Sequence, residues 1–178
     1  MNGQVVLVTG GAPPVLAATA SPRLHQKIVE LNLLAPLHVS QRANTVMRQQ
    51  ESGGSIVMIG SVSGTRPSPG TAAYGAAKAG LANLATSLAV EWAPKVRVNT
   101  VVVGPVDTEL SHLHYGDEAG VKAVGDTIPM GRMATPADVA EACLYLATAA
   151  YVTGSTLTVH GGGERPAFLD ASNAEGPR

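Results

Sequence analysis

Four short apolar runs, each closed by glycine and separated by stretches of helical pattern, set the terms on which this 178-residue chain can fold. Gln4-Val-Val-Leu-Val-Thr9 ends at Gly10 and Gly11, and Ser55-Ile-Val-Met-Ile59 ends at Gly60. Val96 to Val103 ends at Gly104, and Ser155 to His160 ends at Gly161. Runs of this kind predict buried strands. Between the first two, a helical pattern extends from about Pro22 to Gln50, with Ser21 as N-cap and Pro22 at the favoured first position. An alanine-rich helix is expected from Thr71 to Trp92, stopped by Pro94. Thr135-Pro-Ala-Asp138 is a capping box with proline at N1, opening a third helix that reaches about Ala149. Strand and helix in alternation are the α/β, Rossmann-like doubly wound pattern, here shortened to about four strands. Right-handed crossovers make such a sheet parallel, with ligands at the carboxyl ends of its strands.

The apolar content of 45% is enough for one domain with a real core. We read residues 1–163 as that single, partial domain and residues 164–178 as a polar tail, loose or draped on the surface. Formal net charge is -1, from 12 basic and 13 acidic residues, so charge offers no case for nucleic acid or an anionic membrane surface. No apolar run approaches the roughly 20 residues that span a bilayer. The start, Met-Asn-Gly-Gln, lacks the charged-then-apolar design of a signal peptide. Cys143 is the single cysteine, which excludes an internal disulfide and reads as buried filler in its helix. A cytoplasmic setting follows. The stretch from Pro105 to Met133 has weak periodicity and reads as a mobile connection, a lid.

The chemistry-bearing residues gather around the second run. Ser61 stands at its carboxyl end, Tyr74 follows thirteen residues later, and Lys78 four after that. On a helix, Tyr74 and Lys78 at i and i+4 share a face, about 5–6 Å apart at Cβ. A phenol is a poor base at neutral pH, and a nearby ammonium favours its ionised form. A serine hydroxyl from the strand end can then hydrogen-bond the same substrate oxygen. Such a set polarises a carbonyl, or takes a proton from an alcohol, while hydride moves to or from a carrier. A half-buried tyrosine beside a snorkelling lysine is the bland reading, and it explains neither the Gly/Pro-rich loop nor the shared strand end.

Ser61-Val-Ser-Gly64 through Pro69-Gly70, followed by Tyr74-Gly-Ala-Ala-Lys78, resembles the catalytic stretch of the short-chain dehydrogenase/reductase family. That resemblance implies catalytic roles for Ser61, Tyr74 and Lys78, with Tyr74 and Lys78 also in the cofactor-binding set and Lys78 contacting the nicotinamide ribose. Asn32, in Glu30-Leu-Asn-Leu-Leu34, matches the family's fourth catalytic position. Pro36 has no N–H and cannot close the helical bond to the Asn32 carbonyl, so a kink is expected there, with that carbonyl available to a water. In the family such a water extends a proton relay from the lysine to solvent. Arg97 to Thr108 resembles the segment that meets the nicotinamide, with Val103 where the family has proline. By this likeness Gly104, the backbone around Val106 and the hydroxyl of Thr108 hold the carboxamide. The likeness covers about residues 20 to 163 and implies NAD or NADP as cofactor, a small carbonyl or alcohol substrate, and assembly as a homodimer or homotetramer through the two long helices.

The adenosine half of a dinucleotide site is not legible. A Gly-x-Gly-x-x-Gly-type turn should follow the first strand, yet Thr9-Gly10-Gly11 leads into Ala12-Pro13-Pro14-Val15. Only 20 residues separate Gly11 from Asn32, where a strand–helix–strand unit needs about 30. Either the chain is a shortened form or residues of a larger protein lie outside it. The first strand is therefore expected to pair, through Val5–Val8, beside Ile56–Ile59, leaving its other edge open.

Two readings of function remain. One is an NAD(P)-dependent oxidoreductase interconverting a carbonyl and an alcohol. The other is a catalytically inactive remnant acting in self-association or partner binding. His112 and His114 lack the partners that would complete a metal site. Gly60-Ser-Val-Ser-Gly64 does not have the glycine spacing of a hydrolase nucleophile elbow.

Overall fold

The computed structural model describes the backbone of residues 4–8 and all of residues 16–167. The expectation about the phosphate turn rests on residues 9–15, and most of the tail is residues 168–178; both lie outside the described residues.

Strands β1 (Gln4–Val8), β2 (Gly54–Ser61), β3 (Val96–Val103) and β4 (Thr156–Val159) form one sheet in the order β1-β2-β3-β4. All three pairings are parallel. Val5 stands opposite Ser55 and Val8 opposite Met58, so β1 lies beside β2 as expected, one residue earlier in register. Among the described residues β1 and β4 are the two edges of the sheet.

Alternation along the two central strands divides the core. Ile56, Met58, Val96 and Val98 face Met47 and the row Leu81, Ala85, Leu88 and Trp92. Val57, Val101 and Val103 face the opposite way, onto Ala142 and Leu146. Helices therefore cover both faces, as a doubly wound sheet requires. Cys143 is half-buried against the second cluster rather than fully buried.

The long helical pattern is realised in three pieces. Helix α1 (Pro22–Val29) is capped by the Ser21 side chain, which accepts from the Leu24 N–H at 3.2 Å. Helix α2 (Ala35–Met47) follows, and between them Glu30–Leu34 form a π-helical turn. The Ala35 N–H donates to the Glu30 carbonyl, five residues back, and the next residue, Pro36, has no N–H to continue the ladder. The expected kink thus takes the form of a widened turn, a feature frequent at functional sites.

Helix α3 (Ala72–Trp92) runs as expected. The connection after β3 does not. It contains two short helices that the weak periodicity did not signal, α4 (His112–Tyr115) and α5 (Glu118–Asp126). The Asp117 side chain caps α5 by accepting from the Gly120 N–H at 3.1 Å, and Lys122 pairs with Asp126 at 2.6 Å. Helices this short complete too few turns for an apolar repeat to show. His112 and His114 are exposed on α4.

Helix α6 (Pro136–Thr148) opens on the capping box of Thr135 and Asp138. Its far end is held by β3. Arg97 donates to the carbonyls of Leu146 at 2.8 Å and Ala147 at 2.7 Å in the last turn of the helix, and of Val152 beyond it at 2.9 Å. Asn99, fully buried, donates to the Val152 carbonyl and accepts from the Ser155 N–H. Among the described residues no helix is long and apolar enough to cross a membrane.

Candidate active site

Ser61 is the last residue of β2, in extended conformation, and its hydroxyl accepts from the Ser63 N–H at 3.2 Å. Val62–Gly64 make a 3-10 turn that returns the chain against α3. Two glycines permit this approach. A Cβ on Gly75 would lie 2.5 Å from the Ser63 carbonyl oxygen, and one on Gly64 would lie 2.7 Å from the Ala79 nitrogen. The small residues of the Ser-x-x-Gly and Tyr-Gly-Ala-Ala-Lys stretches therefore have a packing reason. They bring the strand end onto the helix turn that carries Tyr74 and Lys78.

Tyr74 is half-buried, with the Ser61 side chain close enough to act on its hydroxyl. Lys78 is 2% exposed; its Nζ donates to the Ile59 carbonyl at 2.7 Å and lies 5.6 Å from the centre of the Tyr74 ring. Three groups named from spacing alone thus meet at the carboxyl end of β2.

Their protonation differs from the sequence expectation. The ammonium was to favour the ionised phenol. Instead burial raises the Tyr74 pKa, with the Ser61 hydrogen bond opposing it more weakly. Burial also pulls Lys78 down, from 10.5 to about 8. Each group has lost solvent, and that loss is the first cause of both shifts.

Asn32 is fully buried on the π-helical turn, its Nδ2 donating to the Ile28 carbonyl at 3.0 Å. That turn packs on α3; Leu33 side-chain carbons come within 3.4 Å of where a Cβ on Gly80 would stand, two residues beyond Lys78.

Val103 pairs in register with Ser61, so the segment Gly104–Thr108 departs from beside the serine. A Cβ on Gly104 would approach the His160 Cβ to 2.8 Å, so glycine is needed for close passage past the end of β4. Val106 forms a parallel bridge with Ala134. The Thr108 hydroxyl, on an exposed residue, accepts from the Leu110 N–H at 3.3 Å. Ser111, which spacing did not single out, holds this segment: its hydroxyl accepts from the Thr108 N–H at 2.8 Å and donates to the Val106 carbonyl at 3.4 Å. The signal available was the Thr108-x-x-Ser111 spacing that opens a short helix.

Two concavities adjoin these residues. One of about 540 Å³ runs along the loop and the outer side of α3, lined by Ser63, Arg66, Pro69, Ala72 and Ala79. The other, about 170 Å³, is lined by Val62, Arg66, Pro105, His160 and Glu164 among others. The larger touches neither β3 nor β4. The smaller adjoins the chemistry more directly, since Val62 follows Ser61 and Pro105 follows Gly104.

A family model described as enoyl-(acyl carrier protein) reductase matches residues 4–164. The chain belongs to the short-chain dehydrogenase/reductase family. Carbonyl reductase family member 4 of Danio rerio is 40% identical over 136 residues, covering 76% of this chain and 54% of its own length. The chain spans about half the length of several such relatives. Among solved structures of similar fold, 4-hydroxyisoleucine dehydrogenase complexed with NADH superposes with a TM-score of 0.81 at 27% identity, covering 89% of this chain and 67% of that one. ElxO with NADP bound gives 0.80 at 27% identity, covering 89% and 66%.

Proposed function

We propose that this chain is an NAD(P)-dependent oxidoreductase that interconverts a carbonyl and an alcohol, with Tyr74 as its acid/base. The observation that carries this reading is the convergence of Ser61, Tyr74 and Lys78 at one strand end, with the serine beside the phenol and the lysine against the ring.

The residues near this point suit the nicotinamide end of the cofactor. The Lys78 ammonium donates once to the chain, to Ile59, and has two further N–H groups for ribose hydroxyls. Gly104, Val106 and Thr108 leave β3 beside Ser61, in reach of a carboxamide placed there. A bound nicotinamide would supply or accept the hydride. Tyr74, protonated at neutral pH and with its pKa raised further by burial, donates to a carbonyl oxygen during reduction and takes the proton back during oxidation. The Ser61 hydroxyl orients the same oxygen. Lys78, charged below about pH 8, lowers the cost of leaving negative charge on Tyr74. Asn32 takes the relay position, on the widened turn that packs against α3. Neighbours in fold carry NADH in one case and NADP in another, and either suits this reading. The same reading treats residues 1–163 as one partial domain and 164–178 as a tail. It also holds a small-molecule substrate, a cytoplasmic setting, and a homodimer or homotetramer built on α1–α2 and α3.

Titrating the purified 178-residue chain with NADH and NADPH, by fluorescence and calorimetry, tests the proposal. Saturable micromolar binding, followed by turnover of a small carbonyl that is lost in Tyr74→Phe, is the expected result. Absence of binding up to millimolar concentration would overturn it. A catalytically inactive member engaged in self-association would then be the better reading, in keeping with the missing glycine-rich turn.

A further inference from the structure

The 170 Å³ cavity lies across three adjacent parallel strand ends: Val62 follows β2, Pro105 follows β3 and His160 follows β4. Ligands collect at this end of a doubly wound sheet. One wall carries Arg66, five residues after Ser61. Gly161, Gly162 and Gly163, with φ of 64°, 96° and 87°, turn the chain tightly after β4, and Gly163 adds a point on the wall without a side chain. Glu164 comes next, and its carboxylate is paired with the Arg66 guanidinium. Arg66 also donates to the Pro67 carbonyl at 3.1 Å.

This ion pair is unusual in its placement. It joins two residues of the cavity lining that are 98 apart in the chain, yet its side chains are 41% and 46% exposed. A pair so exposed contributes little to stability, so its carboxylate can be exchanged at small cost. The planar guanidinium fork matches a carboxylate in geometry as well as charge. The charged and titratable groups lining the space are Arg66, Glu164 and His160, and Arg66 is the fixed cation among them. The volume holds about six groups of water size, taking roughly 30 Å³ for each.

We propose that Arg66 is the specificity-determining residue of the site and binds the carboxylate of a short oxo or hydroxy acid, with Glu164 holding that position until the substrate displaces it. The inference rests on the oxidoreductase reading, because the other end of such a substrate is the carbonyl or alcohol presented to Ser61 and Tyr74. Glu164 serves as an internal competitor, so removing its charge strengthens acid binding.

The test uses 4-oxopentanoate and its methyl ester as matched probes, with binding to the full chain followed by ligand-observed NMR and turnover followed with NADH and NADPH. The acid is expected to bind about tenfold more tightly than the ester, a charge-assisted contact being the difference. Arg66→Gln brings the two together, and Glu164→Gln tightens the acid alone. Equal binding of acid and ester, no acid binding below millimolar concentration, or a preference unchanged in Arg66→Gln would overturn the assignment. The two layers separate cleanly. Acid binding of the expected pattern without turnover leaves the carboxylate site standing and removes the oxidoreductase reading. Turnover of neutral ketones with no acid preference does the reverse.

Discussion

Lys78 sits 2% exposed with its Nζ 2.7 Å from the Ile59 carbonyl, and burial sets its pKa at about 8 against an ordinary 10.5. The unfolded chain keeps that proton up to about pH 10.5, whereas the folded chain releases it above about 8. Between these values the unfolded state binds more protons, so this group's contribution to stability rises with pH; below about 8 its burial penalty is present in full. The penalty is on the order of 3 kcal/mol. Urea unfolding of wild type and Lys78→Met at pH 7 and pH 10 should show the difference between the two narrowing as pH rises; parallel curves would refute the burial argument. Carbonyl reduction should weaken over the same window, as the charge beside Tyr74 is lost. Tyr74→Phe removes the proton donor while sparing the ring, so kcat should fall by about 10²–10⁴ with cofactor affinity retained. A variant with near-normal kcat would move the acid/base elsewhere.

At the scale of elements, two glycines of one helix make opposite forecasts. In α3 a Cβ on Gly75 would meet the Ser63 carbonyl at 2.5 Å, where the 3-10 turn leans on the helix. A Cβ on Gly80 would find Leu33 carbons at 3.4 Å and 3.6 Å, ordinary contact. Gly80→Ala should therefore stabilise by about 0.5–1 kcal/mol through helix propensity. Gly75→Ala should destabilise by about 1–3 kcal/mol and shift Ser61 away from Tyr74. Thermal unfolding reads both signs, and the same sign for both would sink the packing account. The Tyr74–Lys78 pair was legible from the sequence because one helical turn is a local relation, and the strands because each apolar run ends at a glycine. What escaped is tertiary. Arg97 serves three carbonyls some 50 residues away, and nothing near it in the chain signals that. The short α4 and α5 lack room for a repeat, and the π-helical turn was announced by Pro36 alone.

For the molecule as a whole, the question is how much of a dinucleotide this chain grips. In a doubly wound sheet the two halves of the cofactor rest on different sets of strands along the carboxyl edge. Here the catalytic set is β2 and β3, where Ser61, Lys78 and the Gly104–Thr108 segment converge. On the far side of β2 stands β1, the sheet edge among the described residues. The 20 residues between Gly11 and Asn32 are too few for a further strand–helix–strand unit, which takes about 30. Binding energy should therefore come mainly from the nicotinamide and its ribose. Reduced nicotinamide mononucleotide, which lacks the adenosine half, should bind this chain within about threefold of NADH, a difference of roughly 0.7 kcal/mol. Fluorescence titration of both measures it directly. NADH binding a hundredfold tighter would show that the adenosine is held after all, by a surface the four strands do not provide, and a second copy pairing along the β1 edge would be the first place to look, since an unpaired strand edge is a template for another chain.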